Sequence, residues 1–197
     1  ACKGSQPLLR RPLGIHRDAG NSVAWVFEVR GPGYRILAQR KTGEYLDVIG
    51  PLGNGFEYPS SLKPDASCVL VAGGMGVAPL TFLAQKISKV AARSAKGAIT
   101  VLIGAKTKSH VLCEKEFKAL GCRVKIATDD GSKGYKGYVS ELLLEELRSA
   151  HNAPGASLYA CGPQPMLKEV SRIAMHTHIP AQVSLEEHMA CGIGACL

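Results

Sequence analysis

The sequence predicts an α/β nucleotide-binding domain, built on a doubly wound sheet of five parallel strands and preceded by a smaller part with antiparallel strands. From about residue 66, apolar β-branched runs alternate with segments of helical period, which is typical of a parallel sheet with crossover helices. Before residue 66, Gly and Pro interrupt short apolar runs, which favours antiparallel strands. A glycine cluster also follows the first strand of the second part, where open α/β sheets bind ligands.

The second part of the chain contains the elements of the predicted parallel sheet. Its strands are short apolar runs at Cys68–Ala72, Ala98–Ile103, Arg123–Thr128, Ser157–Ala160 and Ala181–Ser184. Its helices have apolar residues at a 3.6-residue period, at Ala78–Arg93, Ser109–Ala119, Tyr138–Ser149 and Pro165–His176. Because strands and helices alternate, we expect each helix to cross one face of the sheet.

The first part of the chain has fewer elements than a barrel needs. Strands are predicted at Leu9–His16, Val23–Val29 and Tyr45–Ile49, with a helical turn near Tyr34–Gln39. Three strands cannot close a barrel, and an open sheet of three leaves two edges exposed. We therefore expect either that residues outside this chain complete the barrel or that this part is a small subdomain leaning on the α/β part.

Composition excludes several classes of protein. The chain has 197 residues, of which 46% are apolar and 20% charged, so it is neither disordered nor a small disulfide scaffold. No apolar run approaches the roughly 20 residues of a membrane span and no signal peptide is recognisable, so we predict a cytoplasmic protein. Seven cysteines at irregular spacing favour reduced thiols or metal ligands over a disulfide framework.

The net charge of +8 is concentrated in one stretch, from Lys86 to Lys125. This stretch holds ten Lys and Arg against two Glu, and no aromatic residues are interleaved with a basic run. The basic residues fall on polar faces of predicted helices or at strand ends, which is typical of a solvated surface. We therefore expect no nucleic-acid binding, and favour an acidic protein partner or a phosphorylated cofactor.

The glycine cluster after the first parallel strand is a candidate phosphate site. Gly73, Gly74 and Gly76 let backbone N–H groups approach a pyrophosphate, and Ala78 and Pro79 open a helix whose N-terminus attracts an anion. The alternative is a tight structural turn. The spacing is not the usual G-x-G-x-x-G with an acidic residue about 20 positions later, so it does not indicate a standard Rossmann site.

A second glycine-bearing strand end is predicted to face the same crevice. The fourth parallel strand runs into Cys161, Gly162, Pro163 and Met166. In an open α/β sheet the carboxyl ends of the strands border the ligand crevice, which favours a pocket here. Taken alone, Cys161 is equally consistent with a small buried hydrophobic residue.

Two further segments have candidate binding residues. Arg11, Pro12, Leu13 and Gly14 place an arginine in a short strand, and the glycine-rich turn GPLGNGF spans residues 50–56. An arginine and exposed backbone amides suit a ligand with phosphates or an electron-rich ring, although both segments are also ordinary turn chemistry.

The last residues include two cysteines, Cys191 and Cys196, with four residues between them, two of which are glycines. The plant-type ferredoxin pattern begins with this spacing, but a third cysteine two residues after Leu197 and a distant fourth would be required. On the residues alone, the pair is either part of a cluster loop or two reduced thiols.

These motifs occur in the same order in one family. The chain resembles the electron-transfer subunits of type B dihydroorotate dehydrogenase, within the ferredoxin reductase superfamily, over almost all of its length. The most specific motifs are GPLGNGF (50–56), GGMGVAPL (73–80), TDDG (128–131), ACGPQPM (160–166) and SLEEHMACGIGACL (184–197). The last motif separates these subunits from most other ferredoxin reductase relatives.

The resemblance implies a flavin site in the first part of the chain. Arg11, Pro12, Leu13 and Gly14 match the R-P-x-S-I flavin motif, with Gly14 in the place of its serine. Neighbouring segments that would line the flavin and its pyrophosphate are Phe27, Glu28, Val29, Gly33 and Tyr34, the last of which replaces the usual threonine. The family also implies that the first barrel strands precede residue 1.

The resemblance implies three segments and an electron relay. Residues 1–65 would be a partial FAD-binding barrel, 66–184 an NAD-binding domain, and 185–197 the start of a [2Fe-2S] segment with Cys191 and Cys196 as two of four ligands. Electrons would pass between NAD, FAD, the cluster and an FMN-containing catalytic dihydroorotate dehydrogenase subunit in pyrimidine biosynthesis, as a heterotetramer. No protein acid or base is needed for hydride transfer, so no catalytic residue is expected.

Several alternatives remain open at this point. Lys106 and Lys108 lie in the loop after the second parallel strand and could accept a 2′-phosphate, so NADP competes with the favoured NAD. The chain could also be the small subunit of an NAD(P)H–ferredoxin or sulfide oxidoreductase. A third interpretation is a non-enzymatic nucleotide-binding regulatory module whose flavin part has decayed, suggested by Gly14 and the missing strands.

Overall fold

The computed structural model describes residues 10–58, 67–91, 99–149 and 156–185. The first part of the chain forms a small antiparallel pair of strands followed by a helix. Strand β1 (Ile15–Asp18) pairs with β2 (Val23–Trp25), and α1 (Gly31–Ala38) follows with a proline in its first turn. Proline is favoured there because the first N–H groups of a helix have no partner within it.

The rest of the chain builds one parallel sheet with helices on both faces. In chain order its elements are β3 (Cys68–Gly73), α2 (Val77–Ala91), β4 (Ile99–Ala105), α3 (Glu114–Ala119), β5 (Arg123–Thr128), β6 (Tyr135–Lys136), α4 (Val139–Ser149), β7 (Ser157–Cys161), α5 (Gln164–Thr177) and β8 (Ala181–Ser184). The strand order is β6-β5-β4-β3-β7-β8, and every neighbouring pair is parallel. The predicted fold class is confirmed.

The core lies on the two faces of this sheet, and the alternation of β3 assigns its residues to them. Leu70 points to the face covered by α2 and α3, where it joins Leu80 and Phe117 in one buried cluster. Val71 points to the other face and joins a cluster with Leu143 of α4 and Val170 of α5. Burial on both faces explains why the central strands are continuously apolar.

Two expected elements of the second part differ from the structure. The sheet has a sixth strand, Tyr135–Lys136, whose two residues are too short for a periodicity to indicate. The expected helix at Ser109–Ala119 begins only at Glu114, because Cys113 has a φ of +58° and left-handed backbone cannot continue a right-handed helix. A short 3₁₀ turn, Lys108–His110, precedes it.

The strand expected at Tyr45–Ile49 is wrong. Within the described part of the chain this segment pairs with no strand, and Tyr45 is 93% exposed. Alternating apolar residues form a strand only when a partner strand and a covering layer are present, because β-propensity reflects packing more than backbone preference. The division into segments 1–65, 66–184 and 185–197 stays a prediction.

Helix α2 holds the first part of the chain against the sheet. The Gln85 side chain donates to the Asp18 carbonyl oxygen at 2.8 Å and accepts from the Asp18 N–H at 3.3 Å. Both backbone hydrogen-bonding groups of Asp18, the last residue of β1, are therefore satisfied by the amide of one side chain. Lys86 lies 3.3 Å from the Asp18 carboxylate. Strand β1 is therefore fixed by backbone as well as side-chain contacts to one helix.

Part of the basic stretch from Lys86 to Lys125 is paired with carboxylates. In addition to Lys86, Lys118 lies 2.8 Å from Glu114, and Lys125 lies 2.7 Å from Glu146, whose side chain is 3% exposed. In the part of the chain described, no helix combines the length and apolar character that a membrane span requires.

Removing the Leu70 side chain tests the assignment of the core. Leu70→Ala should lower the free energy of unfolding by about 2–5 kcal/mol, because it leaves a cavity under the central strand. Leu46→Ala is the control, since Leu46 is 44% exposed, and should change it by less than about 0.5 kcal/mol. Urea denaturation of both variants measures the difference, and equal losses would contradict the assignment.

Candidate functional site

The strand order places a crevice between β3 and β7. Helices α2 and α3 cover one face of the sheet and α4 and α5 the other, so the chain reverses its winding between these two strands. Open α/β sheets bind ligands at such a point, beyond the carboxyl ends of the strands. The structure therefore brings together the two glycine-bearing strand ends that the sequence predicts to share a crevice.

Three glycines let the two strand ends approach each other. A Cβ at Gly76 would overlap the carbonyl group of Cys161, and a Cβ at Gly162 would lie 2.9 Å from the Cα of Gly73. A Cβ at Gly73 would meet the Met166 sulfur at 2.6 Å and Pro163 at 2.8 Å. These glycines are required by packing, as the tight-turn interpretation expects, and their role in binding stays a prediction.

Gly74 differs from its neighbours because it faces open space. Its φ is +53°, and no heavy atom of the described residues lies within 4 Å of the position that a Cβ would take. The 3₁₀ turn Gly74–Gly76 leads directly into α2, which has no acidic residue in its first turn. The first N–H groups of a 15-residue helix attract an anion, and nothing acidic in that turn opposes it.

The predicted flavin-side residues are also brought together in part. The Tyr34 hydroxyl donates to the Pro12 carbonyl oxygen at 3.0 Å, and the Tyr34 ring stacks on Phe27 with centroids 5.7 Å apart. The Arg11 side chain lies over Gly33, where a Cβ would stand 3.0 Å from its guanidinium carbon. A side chain at residue 33 would displace the Arg11 guanidinium, so Gly33 allows this position of a flexible side chain rather than being required by packing.

Two of the predicted flavin-side residues lie at the margin of this group. Glu28 is exposed and forms an ion pair with Arg30 at 2.6 Å, and Val29 is 52% exposed. Leu13 is half-buried between Pro12 and Gly14. The structure thus supports a core group of Arg11, Pro12, Phe27, Gly33 and Tyr34 more closely than the whole predicted set.

The two groups of residues meet at Gly14. A Cβ there would lie 3.9 Å from both Cβ and Cδ of Pro79, in ordinary van der Waals contact with the first turn of α2. The replacement of the motif serine by Gly14 therefore leaves space between the Arg11–Gly14 segment and the start of that helix. The flavin-side segment therefore lies close to the start of α2, which follows the phosphate-side glycines.

Sequence reasoning missed a pocket at the ends of β4 and β5. The pocket is lined by Thr107, Lys108, Ser109, Asp130 and Ser132. The Lys108 N–H donates to the Ser132 hydroxyl at 2.7 Å, and that hydroxyl donates to the Asp130 carboxylate at 2.6 Å. The pKa of Asp130 is lowered by the hydrogen bonds from the Ser132 side chain and backbone, so it is charged at neutral pH.

A second missed contact anchors the GPLGNGF segment. Phe56 packs edge-on against Tyr159 of β7 with centroids 5.7 Å apart. The carbonyl oxygen of the next residue, Glu57, accepts from the Tyr159 hydroxyl at 3.1 Å and from the Gln182 amide at 2.7 Å. The position of these residues at strands β7 and β8 was not indicated by any local pattern.

Three of the cysteines in the described part of the chain, Cys68, Cys122 and Cys161, are buried. Burial raises the pKa of the Cys68 and Cys122 thiols to about 11, so both are protonated at neutral pH. Cys161 is buried, with 2% exposed, at the end of β7. The predicted cluster ligands Cys191 and Cys196 lie outside the described residues.

The fold and the crevice together define a nucleotide-binding oxidoreductase of the ferredoxin reductase type. The model of the oxidoreductase NAD-binding domain family matches residues 70–172, which include both glycine-bearing strand ends. In this class the bound cofactors carry the chemistry and the protein binds and orients them.

Curated relatives give the particular family. The chain is 42% identical over 196 residues to the protein named dihydroorotate dehydrogenase B (NAD(+)), electron transfer subunit, of Desulforamulus reducens, with 98% of this chain and 70% of the relative covered. It is 40% identical to the protein of the same name from Geobacillus kaustophilus, with the same coverage. The chain belongs to the family of dihydroorotate dehydrogenase B electron transfer subunits, and the resemblance found in the sequence is confirmed.

Solved structures agree with this assignment. The chain matches an NADH-dependent reduced ferredoxin-NADP oxidoreductase with a TM-score of 0.70 and 30% identity, covering 95% of this chain and 63% of that one. It matches the flavohemoglobin of Malassezia yamatoensis, solved with FAD and heme, with a TM-score of 0.64. At 17% identity, the second likeness shows the fold alone.

Substituting Gly76 tests the close approach of the two strand ends. Gly76→Ala should lower the free energy of unfolding by about 1–3 kcal/mol, because its Cβ overlaps backbone that can move only with β7. Gly55→Ala is the matched control, since no heavy atom of the described residues lies within 4 Å of its Cβ position. Thermal unfolding compares them, and an unchanged melting temperature for Gly76→Ala would contradict the packing.

Proposed function

We propose that this chain is the part of an electron transfer subunit that passes electrons between NAD and a partner subunit through FAD and a [2Fe-2S] cluster. The partner is an FMN-containing dihydroorotate dehydrogenase subunit, and the pathway served is pyrimidine biosynthesis. The proposal is supported by family membership and by the two adjoining groups of site residues. The chain spans about 70% of the curated relatives and 63% of the matched solved structure, so the activity of the whole protein is included in the proposal.

The observation that carries the proposal is the closeness of Gly14 to Pro79, which a Cβ at residue 14 would approach to 3.9 Å. Hydride transfer requires the two reacting atoms to be held about 3–3.5 Å apart. A flavin held by the Arg11–Gly14 segment and a dinucleotide held at the start of α2 would therefore have to bind side by side. The short separation of these two segments at Gly14 and Pro79 supports that arrangement.

The residues present fit both cofactors. The crevice offers backbone N–H groups at Gly74–Gly76 and a helix N-terminus for a pyrophosphate, and Arg11 offers a guanidinium for the flavin side. When bound, FAD accepts a hydride from NADH and releases single electrons. Gly73, Gly74, Gly76, Ala78 and Pro79 would hold the dinucleotide phosphates.

The remaining residues would position the rings. Cys161, Gly162, Pro163 and Met166 would border the nicotinamide, because they form the β7 side of the crevice. The flavin would be seated by Arg11, Pro12, Leu13, Gly14, Phe27, Glu28, Val29, Gly33 and Tyr34. Cys191 and Cys196 would supply two of the four thiolates that a [2Fe-2S] cluster requires. The heterotetramer and the cytoplasmic location also stay predictions.

The main test uses the protein with its full cluster segment and FAD. Adding NADH without oxygen should bleach the flavin bands, and mixing the protein with the catalytic subunit should couple dihydroorotate oxidation to NAD⁺ reduction. Coupling to ferredoxin in place of dihydroorotate would favour the ferredoxin oxidoreductase alternative. A protein that stays colourless after incubation with FAD would favour the non-enzymatic module and overturn the proposal.

Gly74 tests the phosphate site. Gly74→Ala places a methyl group in the open crevice and should weaken NADH binding at least about tenfold, since a hydrogen bond to a charged group contributes about 1.5–3 kcal/mol. Gly121→Ala is the matched control, because Gly121 also has a positive φ, +79°, and no heavy atom of the described residues lies within 4 Å of its Cβ position. Equal NADH affinities of the two variants, measured by flavin reduction, would remove Gly74 from the site.

Asp130 tests the choice between NAD and NADP. A carboxylate in the pocket at the ends of β4 and β5 repels a 2′-phosphate, so Asp130→Asn should raise the affinity for NADPH relative to NADH by up to about tenfold. Asp129→Asn removes the same charge next to the pocket lining and should change the ratio less. Steady-state oxidation of both nucleotides gives the ratio, and an unchanged ratio in Asp130→Asn would place the 2′ position elsewhere.

A further inference from the structure

Three potential metal ligands meet where β1, packed beside α2, comes close to the start of α3. They are His16 of β1, Cys113 just before α3, and Glu116 in the first turn of α3. One ring nitrogen of His16, the Cys113 sulfur and a Glu116 carboxylate oxygen all lie within 4.8 Å of one another. Residues nearly one hundred positions apart in the chain thus place an imidazole, a thiol and a carboxylate together.

His16 has an unsatisfied buried nitrogen. The side chain is in a residue only 7% exposed, and its Nδ1 has no hydrogen-bond partner among the described residues. Leaving a buried polar atom without a partner costs about 1–3 kcal/mol, so such atoms usually have a role. An imidazole nitrogen with a free lone pair is a common metal ligand.

Cys113 and Glu116 complete the arrangement. Cys113 is one of two non-glycine residues with positive φ in the described chain, and this backbone turns its side chain toward β1 rather than along α3. Burial, and then the charge of Glu116, raises the pKa of the Cys113 thiol.

We propose that His16, Cys113 and Glu116 bind one divalent cation of the zinc type, a site separate from the electron relay. Nitrogen, thiolate sulfur and carboxylate oxygen are the ligands that Zn²⁺ prefers, and three protein ligands leave a fourth position for water. Bond lengths of about 2.0–2.3 Å bring tetrahedral ligand atoms to about 3.3–3.8 Å from one another, so shifts of about 1–1.5 Å in the distances between the ligand atoms would close the site. On binding, the Cys113 proton is released to solvent.

A bound ion is expected to link the two parts of the chain. His16 belongs to the antiparallel pair, whereas Cys113 and Glu116 belong to the parallel-sheet domain. An ion bound by all three links β1 to α3, in addition to the existing contacts of β1 with α2. Because the unfolded chain does not hold the three ligands together, binding of the ion should raise the melting temperature.

The test measures Zn²⁺ binding to the FAD-loaded full chain by competition with a chromophoric chelator. Wild type should bind one more Zn²⁺ than His16→Asn or Cys113→Ser, and Glu116→Gln should bind it at least about tenfold more weakly. His110→Asn, Cys122→Ala and Glu141→Gln are the matched controls and should keep wild-type binding. Cys191 and Cys196 are present in wild type and in every variant, so any Zn²⁺ that they bind cancels in the comparison.

Two further measurements exclude a failure to fold and an unspecific ion. Circular dichroism and flavin content should be unchanged in His16→Asn, and Zn²⁺ should raise the melting temperature of wild type but not of this variant. Zinc X-ray absorption, as the difference between wild type and Cys113→Ser, should show one sulfur and one imidazole. Equal stoichiometry in all variants, or zinc retained in His16→Asn but lost in Cys113→Ser, would overturn the proposed site.

Discussion

The contact between the ends of β3 and β7 is the constraint on which the site depends. These strands are neighbours although about ninety residues separate them, and their carboxyl ends approach until the Cα of Gly73 nearly touches Gly162. Gly76 lies equally close to β7, because a Cβ at this residue would overlap the carbonyl group of Cys161. With a side chain at Gly73, Gly76 or Gly162 the ends of β3 and β7 would have to move apart, and the crevice between them would change shape. The short 3₁₀ turn and the start of α2 owe their position to this contact.

The parallel sheet was predictable because its signals are local and strong. The continuous apolar run of β3 and the glycines after it indicate a buried strand and a turn, whatever the rest of the chain does. The antiparallel part was less predictable: Tyr45–Ile49 has the alternation of a strand, but whether it forms one depends on a partner that alternation cannot reveal. The start of α3 was misplaced because nothing in the sequence indicates that Cys113 takes left-handed backbone.

The candidate site also contains some residues that local sequence signals predict and others that only tertiary contacts bring together. Gly73–Gly76 and Cys161–Gly162 could be paired from sequence, since carboxyl ends of parallel strands share one edge. Asp130 and Ser132 could have been found by the same rule applied to β4 and β5. By contrast, the approach of Gly14 to Pro79 is tertiary, between residues 65 positions apart, and no pattern in either segment predicts it. The meeting of His16 with Cys113 has the same origin.

Helix α2 connects both parts of the molecule along its length. Its first turn lies close to Gly14 and follows the phosphate-side glycines, and two turns later Gln85 and Lys86 bind Asp18. The spacing between the Arg11–Gly14 segment and the glycine turn before α2 is thus set by one helix. Two ligands bound at these two segments would keep a fixed separation even if the outer segments of the first part varied in sequence and length.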